Sequence, residues 1–310
     1  MATLTPMAGP VIVDQPAVGN IRYGLFTAAN GPFDLPDHGA IGGVTYPQEH
    51  CAQGHLLAAA SCTTPTIPAS SALDPCDIYA IGLPFEVVAG IKAGAFPYDA
   101  TEVERRARVR LGDNAQYVAE QAFWGGNADV QAALLRPEFN GGTGILDVTP
   151  TPGTPVTLEY GLGLLENALA QYSYPGVIHC QPIVTPYLAE RSLMPKPVRA
   201  TTGQPGRLYT PMGSVWSFGR GYSGNKPNND ASAPAAGTAY LVGTGAVTIW
   251  RDSEIYVNPP ERSFDRSGNA WQTTAQQAYA TTIDCVAFFV LVGLDAMTVS
   301  TGAAVTARLY

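Results

Sequence analysis

Apolar residues recur every three to four positions along one stretch of the chain, and this spacing predicts a long amphipathic helix over 101–124. Asp99 or Thr101 can cap its start, and Thr101 with Glu104 forms a capping box. Two glycines directly after residue 124 are a typical stop signal. At 1.5 Å per residue, a helix of about 23 residues extends roughly 35 Å, longer than most helices of globular proteins. The apolar face consists of Val103, Ala107, Leu111, Ala115, Val118 and Ala122.

The rest of the pattern alternates between strand-like and helix-like segments. The first 76 residues are rich in Gly and Pro, which predicts turns and extended chain, with one or two helical turns at 55–61. Pro84 restricts the early part of the strand-like run 78–96 to an edge or a junction. Residues 219–237 are predicted to form a long exposed loop. The other predicted elements are helices at 158–172 and 184–191 and strands at 176–180, 239–242, 246–256 and 281–294.

Composition and charge argue against several classes of protein. The chain has 310 residues, 46% hydrophobic and 14% charged, which is ample for a large core. Its net charge is −8 and it contains only three lysines, which argues against sequence-specific binding of DNA or RNA. No signal peptide is visible, and the longest apolar run, 285–294, is about half the ~20 residues needed to span a membrane. Five widely spaced cysteines fit the reduced thiols of a cytosolic protein.

The densest cluster of candidate metal ligands is His50, Cys51 and His55. Cys62 or Cys76 would supply a fourth ligand for zinc. The spacing matches no standard zinc finger, so the sequence favours ordinary loop residues here over a metal site.

A candidate nucleophile is the pair His179 and Cys180, with Asp284 and Cys285 as further members of the set. Both cysteines lie in apolar, strand-like runs, where cysteine usually packs as a small hydrophobic residue. The glycine-rich run 219–224 lacks the Lys-Ser/Thr ending of a phosphate-binding loop. We therefore predict no catalytic residue, no metal and no cofactor.

The predicted long helix carries a cluster of arginines in an otherwise acidic chain. Two glutamates lie four residues before two of these arginines, a favourable spacing for ion pairs that leaves Arg105 and Arg110 unpaired. Three interpretations are open: contact with DNA, pairing with acidic patches of another subunit, and a merely solvated helix face. Pairing between subunits is favoured over DNA contact. The subunit-interface candidates are Glu102, Glu104, Arg105, Arg106, Arg108 and Arg110.

The order of these elements resembles the major capsid proteins of tailed bacteriophages, the Hong Kong phage ninety-seven fold that encapsulins share. A loop-rich arm leads to strands, one long helix ending near Phe-Trp-Gly-Gly, a second helix, a strand, a third helix and terminal strands. The local segments that look like this family are 85–95 with 123–125, 174–189, 241–251 and 279–292. The resemblance covers most of residues 20–295.

The resemblance implies an α+β subunit with an N-terminal arm, an extended loop, a peripheral domain with a long spine helix, and an axial domain. The implied parts are the arm at 1–20, the extended loop region at 21–76, the peripheral domain at 77–172 with its spine helix at 101–124, the axial domain at 173–245 and returning strands of both domains at 246–310.

The resemblance also implies a function, that of a major capsid protein rather than an enzyme. Such a protein self-assembles from hexamers and pentamers into an icosahedral shell around phage double-stranded DNA, without sequence-specific binding and without a membrane. Separate scaffold, portal and decoration proteins are implied partners, with assembly in the host bacterial cytoplasm and a final place in the virion. No crosslink through Lys92 is expected. The alternatives are an encapsulin-like compartment and, in another class, a soluble Cys/His hydrolase.

Overall fold

The structure of the chain is a computed structural model. It describes the residue ranges 23–47, 79–94, 99–127, 130–136, 139, 143–172, 176–194, 206–227, 232–259 and 264–294. The helices are α1 (Leu25–Ala28), α2 (Gly39–Gly42), α3 (Ala100–Trp124), α4 (Leu158–Ala170) and α5 (Thr185–Glu190), with 3-10 turns at Ala133–Leu135 and Pro182–Val184. The predicted helical turns at 55–61 lie outside these ranges.

Fourteen strands are described, and they form two six-stranded sheets and a two-stranded ribbon. The strands are β1 (Asn30–Asp34), β2 (Val44–Pro47), β3 (Tyr79–Gly82), β4 (Pro84–Gly94), β5 (Leu146–Asp147), β6 (Val156–Thr157), β7 (Val177–Cys180), β8 (Val215–Phe218), β9 (Thr238–Thr244), β10 (Val247–Arg251), β11 (Tyr256–Val257), β12 (Phe264–Asp265), β13 (Ala270–Ile283) and β14 (Ala287–Gly293).

The first sheet is built around the long strand β13. On one side, β4 pairs antiparallel with β13 over its whole length, from Pro84 opposite Ala280 to Gly94 opposite Ala270. On the other side, β10, β11 and β12 pair with β13, and β1 adds to β10 in parallel. The ribbon of β2 and β3 lies beside this sheet and contacts β13.

The second sheet has the order β5-β14-β9-β7-β8, with β6 also paired to β14. Strands β7 and β8 are parallel, whereas β9 is antiparallel to both β7 and β14. Helix α4, the helix predicted at 158–172, packs on one face of this sheet through Leu158, Leu162, Leu165 and Leu169. The other face joins the core beneath α3.

The long helix predicted from the sequence is confirmed as α3, and it packs on β4 and β13. Its predicted apolar face is buried as far as Ala115, and Ala119 and Phe123 continue it. The cap is Asp99, whose Oδ1 accepts the Glu102 N–H at 2.8 Å, so the capping box does not form the cap. The 25-residue helix is about 37 Å long.

The apolar run 281–294 is two strands rather than the single predicted one. Strand β13 ends at Ile283, and β14 begins at Ala287 in the other sheet. Between them, Cys285 has φ +54°, and this left-handed residue turns the chain from one sheet to the other. The central position of β13 was not predicted, because most of it alternates Thr, Gln and Ala rather than large apolar residues.

Two further expectations are corrected. Part of the predicted exposed loop 219–237 is buried, because Tyr222 packs against Phe123 and Trp124 of α3. The expectation of reduced thiols holds for Cys180, which is a free buried thiol, but not for Cys285, which is disulfide-bonded.

Candidate subunit interface on the long helix

The arginines at the start of α3 are held by the glutamates of the same helix. Arg106 Nε lies 2.5 Å from Glu102 Oε1, and Arg108 Nη2 lies 3.0 Å from Glu104 Oε1, which confirms both predicted pairs. Arg105 Nε also lies 2.8 Å from Glu102 Oε2. Hydrogen bonds from Arg105 and Arg106 lower the pKa of Glu102 to about 2.

Two of these arginines also tie the helix to the first sheet. Arg110 Nη1 donates to the backbone oxygen of Gly90 in β4 at 2.9 Å, and Arg108 Nη1 donates to the backbone oxygen of Ile255 at 3.3 Å. The expectation that Arg105 and Arg110 are unpaired is therefore wrong. The four-residue spacing of Glu102 and Arg106 indicates their pairing, whereas no local pattern indicates a partner 20 or 147 residues away.

The other end of α3 carries a buried carboxylate that joins three segments of the chain. Glu120 is fully buried, and its Oε1 accepts the Leu25 N–H at 3.0 Å and a Gln116 side-chain N–H at 2.9 Å. Its Oε2 accepts the Gly221 N–H at 2.9 Å. Burial raises the pKa of Glu120, although the surrounding N–H donors act in the opposite direction.

Glu120 and Arg207 hold the two ends of the single helical turn α1. The carboxylate of Glu120 receives the first N–H of α1, that of Leu25, and the guanidinium of Arg207 donates to the oxygens of Thr27 and Ala29 at 3.1 and 2.8 Å. An anion at the N-terminus and a cation at the C-terminus of a helix both interact favourably with its dipole. A four-residue turn that is too short to be stable alone is thereby fixed on α3.

A second buried polar cluster lies next to this junction and contains His179. Its Nδ1 lies 3.0 Å from the Tyr222 hydroxyl, and its Nε2 lies 2.9 Å from Thr244 Oγ1. The Tyr222 hydroxyl also lies 2.7 Å from Ser217 Oγ. Full burial without a carboxylate partner lowers the pKa of His179 to about 3.

We expect His179 to remain neutral in the folded chain down to about pH 4. Because its pKa is lowered below the ordinary value of 6.5, its contribution to stability is complete above pH 6.5 and is lost as pH falls from 6.5 towards 3. The measurement is a pH titration of the histidine ring proton signals by NMR. A His179 signal that titrates near pH 6.5 in the folded protein would contradict the buried network.

The geometry does not support a Cys/His nucleophile. His179 and Cys180 are consecutive residues of β7, so their side chains point to opposite faces of the sheet. Burial raises the pKa of the Cys180 thiol far above its usual range, which disfavours the thiolate. Asp284 lies elsewhere, with its Oδ1 accepting the Tyr46 hydroxyl at 2.6 Å.

Tyr46 and Asp284 belong to an open pocket of about 580 Å³ beside the β2–β3 ribbon. The rings of Phe33 and Trp250 lie 5.6 Å apart on its wall, and Tyr46 lies 6.4 Å from Trp250. Burial and the bond to Asp284 raise the pKa of Tyr46 to about 12. Cys285, the disulfide-bonded residue, also lines this pocket.

The described part of the chain contains no group of three or more His, Cys, Asp or Glu side chains that could hold a metal ion. The candidate ligands His50, Cys51, His55, Cys62 and Cys76 lie outside that part. Within the same ranges, no helix is long and apolar enough to cross a membrane.

Large apolar side chains are exposed around the first sheet and its ribbon, a feature that the sequence pattern did not reveal. They come from β1, α2, β3, the link to β4, and β4 itself, and several are about half exposed. The residues are Phe33, Ile41, Tyr79, Ile81, Leu83 and Val88.

Comparison with known proteins finds likeness in structure only. No family model matches the chain, and no curated protein matches it in sequence. The match to the capsid of an empty GTA particle covers 94% of this chain and 95% of the capsid chain, with a TM-score of 0.53 and 15% identity. The match to the capsid of the native GTA particle covers 90% of this chain and 100% of the capsid chain, with a TM-score of 0.51 and 16% identity.

A solved encapsulin, the holo-SrpI complex from Synechococcus elongatus PCC 7942, covers 95% of this chain and 96% of its own, with a TM-score of 0.46 and 10% identity. The GTA matches extend over nearly the whole of both chains, so they concern the complete architecture rather than one shared motif. The chain has the α+β fold of these capsid subunits, the Hong Kong phage ninety-seven fold that its element order resembles.

Proposed function

We propose that this chain is the major capsid protein of a tailed bacteriophage, which self-assembles into an icosahedral shell around double-stranded DNA. The observation that supports this most is the fold shared with capsid subunits over 94% of the chain. In this proposal, copies associate as hexamers and pentamers. The proposed subunit parts are the arm 1–20, the extended loop region 21–76, the peripheral domain 77–172, the axial domain 173–245 and the returning strands 246–310.

Surface chemistry supports self-association. The exposed apolar residues of the ribbon and β4 are available for a neighbouring copy to cover. A shell spreads many moderate contacts over repeated heterologous interfaces, so each patch on a subunit needs only modest area.

The net charge of −8 fits a shell that encloses DNA better than a protein that binds DNA tightly. An acidic wall repels packaged phosphates rather than binding them. Scaffold, portal and decoration proteins are proposed as further partners, with assembly in the host bacterial cytoplasm. In this role the chain needs no catalytic turnover.

The arginines of α3 are proposed to pair with acidic groups of a neighbouring subunit. Arg105 and Arg108 keep 50% and 45% of their side chains exposed even though each contacts a glutamate of its own helix. An additional carboxylate from outside can therefore reach both guanidinium groups.

We expect the double variant Arg105→Ala and Arg108→Ala to fold normally and to assemble less well at low salt. Each lost contact is expected to weaken association by about 1 kcal/mol or less, because such pairs remain partly solvated. Arg191→Ala is the matched control, since Arg191 pairs with Glu159 on α4 instead. Assembly of the double variant at the wild-type level in both low and high salt would contradict the pairing.

The content of purified particles tests the proposed function against the encapsulin alternative. The proposal predicts nuclease-protected double-stranded DNA inside particles recovered from infected cells. Particles that hold a co-encoded protein cargo and no DNA would contradict the phage function and favour a compartment shell.

A further inference from the structure

Strand β4 forms one edge of the first sheet. It pairs with β13 along one side, and no other described strand pairs with its outer side. In an antiparallel strand, every second residue directs both its N–H and its C=O away from the neighbouring strand. Eleven residues therefore present an open edge about 37 Å long.

Little within the described residues protects this edge. Natural edge strands are usually guarded by proline, lysine, bulges or a covering element. In β4, proline occurs only at the first position, Pro84. Lys92 does not guard the edge, because its Nζ reaches back across β13 to Asp265 in β12 at 2.8 Å. The guanidinium of Arg110 reaches the Gly90 oxygen, which still leaves the groups on either side uncovered.

The opposite edge of the same sheet is different. Strand β1 has only five residues and contains Pro32, which has no N–H to donate, and Asp34. Between Pro84 and Lys92, by contrast, Glu86 is the only charged residue of β4. Of these two edge strands, β4 is therefore the longer and the less guarded one.

We propose that the outer edge of β4 binds an extended segment of a second copy of this chain, which adds a strand to the first sheet. The inference rests on the proposed self-assembling function, because each subunit of a shell has neighbouring copies of the same chain. Residues 87–91 read Val-Val-Ala-Gly-Ile, an uncharged run in which three residues are of the β-branched type that strands favour. Backbone hydrogen bonds supply the affinity in such strand addition, and alternate side chains supply the specificity.

The side chains of β4 leave space for another strand to approach closely. Val88 is 51% exposed on the face away from α3, and Gly90 next to it on that face leaves room for an approaching chain. One added strand covers less than the roughly 800 Å² per partner of a standard interface, so this contact acts together with the apolar surface around the ribbon.

Amide hydrogen exchange within 84–94 tests the proposal directly. Wild-type protein is compared as assembled particles and as dissociated subunits. In the subunits, the amides that bond to β13 are protected and the alternate ones exchange fast. On assembly, the alternate amides are expected to slow by at least about tenfold. Unchanged exchange of these amides in assembled protein would overturn the proposal while leaving the shell function intact.

A pair of variants separates the edge from the face of the sheet. Val88→Lys places a guarding charge on the edge strand, whereas Thr274→Lys places the same charge on the same face one strand further in. We expect Val88→Lys to keep the wild-type melting temperature and to raise the concentration needed for assembly by about tenfold or more. Thr274→Lys is expected to assemble normally. Equal loss in both variants, or no loss in Val88→Lys, would overturn the edge contact.

The oligomeric state distinguishes failure of the β4 edge contact from failure of the proposed capsid function. Small oligomers without shells, with the β4 amides protected, would support the edge contact and contradict the capsid function. A wild-type chain that stays monomeric at every concentration would overturn both.

Discussion

Replacement of Glu120 by Ala is expected to lower the free energy of unfolding of the subunit by about 3 kcal/mol or more. The carboxylate receives N–H groups from Leu25, Gly221 and Gln116, and all of them lie in a buried environment. Without an acceptor, each donor carries a desolvation cost of about 1–3 kcal/mol. The loss falls on three segments at once, since the junction joins α1 and the 219–227 segment to α3.

Urea unfolding of dissociated subunits, followed by tryptophan fluorescence, measures this effect. Trp124 is a suitable reporter because its Nε1 donates to the Asn225 oxygen at 2.9 Å in the same segment. The control is Glu104→Ala, which removes a glutamate of the same helix that pairs with Arg108 at the surface and should cost less than about 1 kcal/mol. Similar losses in the two variants would show that Glu120 does not hold the junction.

Two glycine-to-alanine variants are expected to change stability in opposite directions. A Cβ at Gly221 would lie 2.1 Å from the Tyr117 backbone oxygen and 2.8 Å from Glu120 Cβ, positions that a helix backbone cannot vacate. Gly221→Ala should therefore cost about 1–3 kcal/mol or more. Gly112, in the middle of α3, has nothing within 4 Å of the same position. Gly112→Ala should stabilise the subunit by about 0.5–1 kcal/mol, because alanine favours helix more than glycine does.

The same urea unfolding measurement gives the change in the free energy of unfolding for both glycine variants. Destabilisation by both substitutions would mean that the surface of α3 at Gly112 is already covered within the subunit. Neutral behaviour of Gly221→Ala would mean that the 219–227 segment does not pack closely on the helix.

The long helix could be predicted because its determinants are local. The apolar residues recur every three to four positions. The acidic N-cap and the Glu-Arg pairs each join residues no more than four positions apart. The second partners of Arg108 and Arg110 could not be predicted, because Ile255 and Gly90 come near only once the first sheet has formed.

The segment 219–237 shows the opposite case. Its Gly, Pro, Ser and Asn content predicts an exposed loop, yet Tyr222 is buried and its hydroxyl contacts His179 and Ser217. Small residues here allow the backbone to lie directly on α3, so the composition that suggested exposure is what permits burial. A single aromatic residue within such a run was the only local signal of this packing.

Residues 270–280 of strand β13 were missed for a related reason. Its outer positions are Thr, Gln and Ala, so the alternation between large apolar and charged residues that identifies most strands is absent. In the folded subunit one face of β13 lies under α3, and the other lies partly against the β2–β3 ribbon.

Electron microscopy of the purified protein at neutral pH shows whether this chain builds a closed shell. We expect hollow icosahedral particles of uniform size, formed without any other viral protein or with only a scaffold added. A field of compact 32.6 kDa monomers under all these conditions would contradict it.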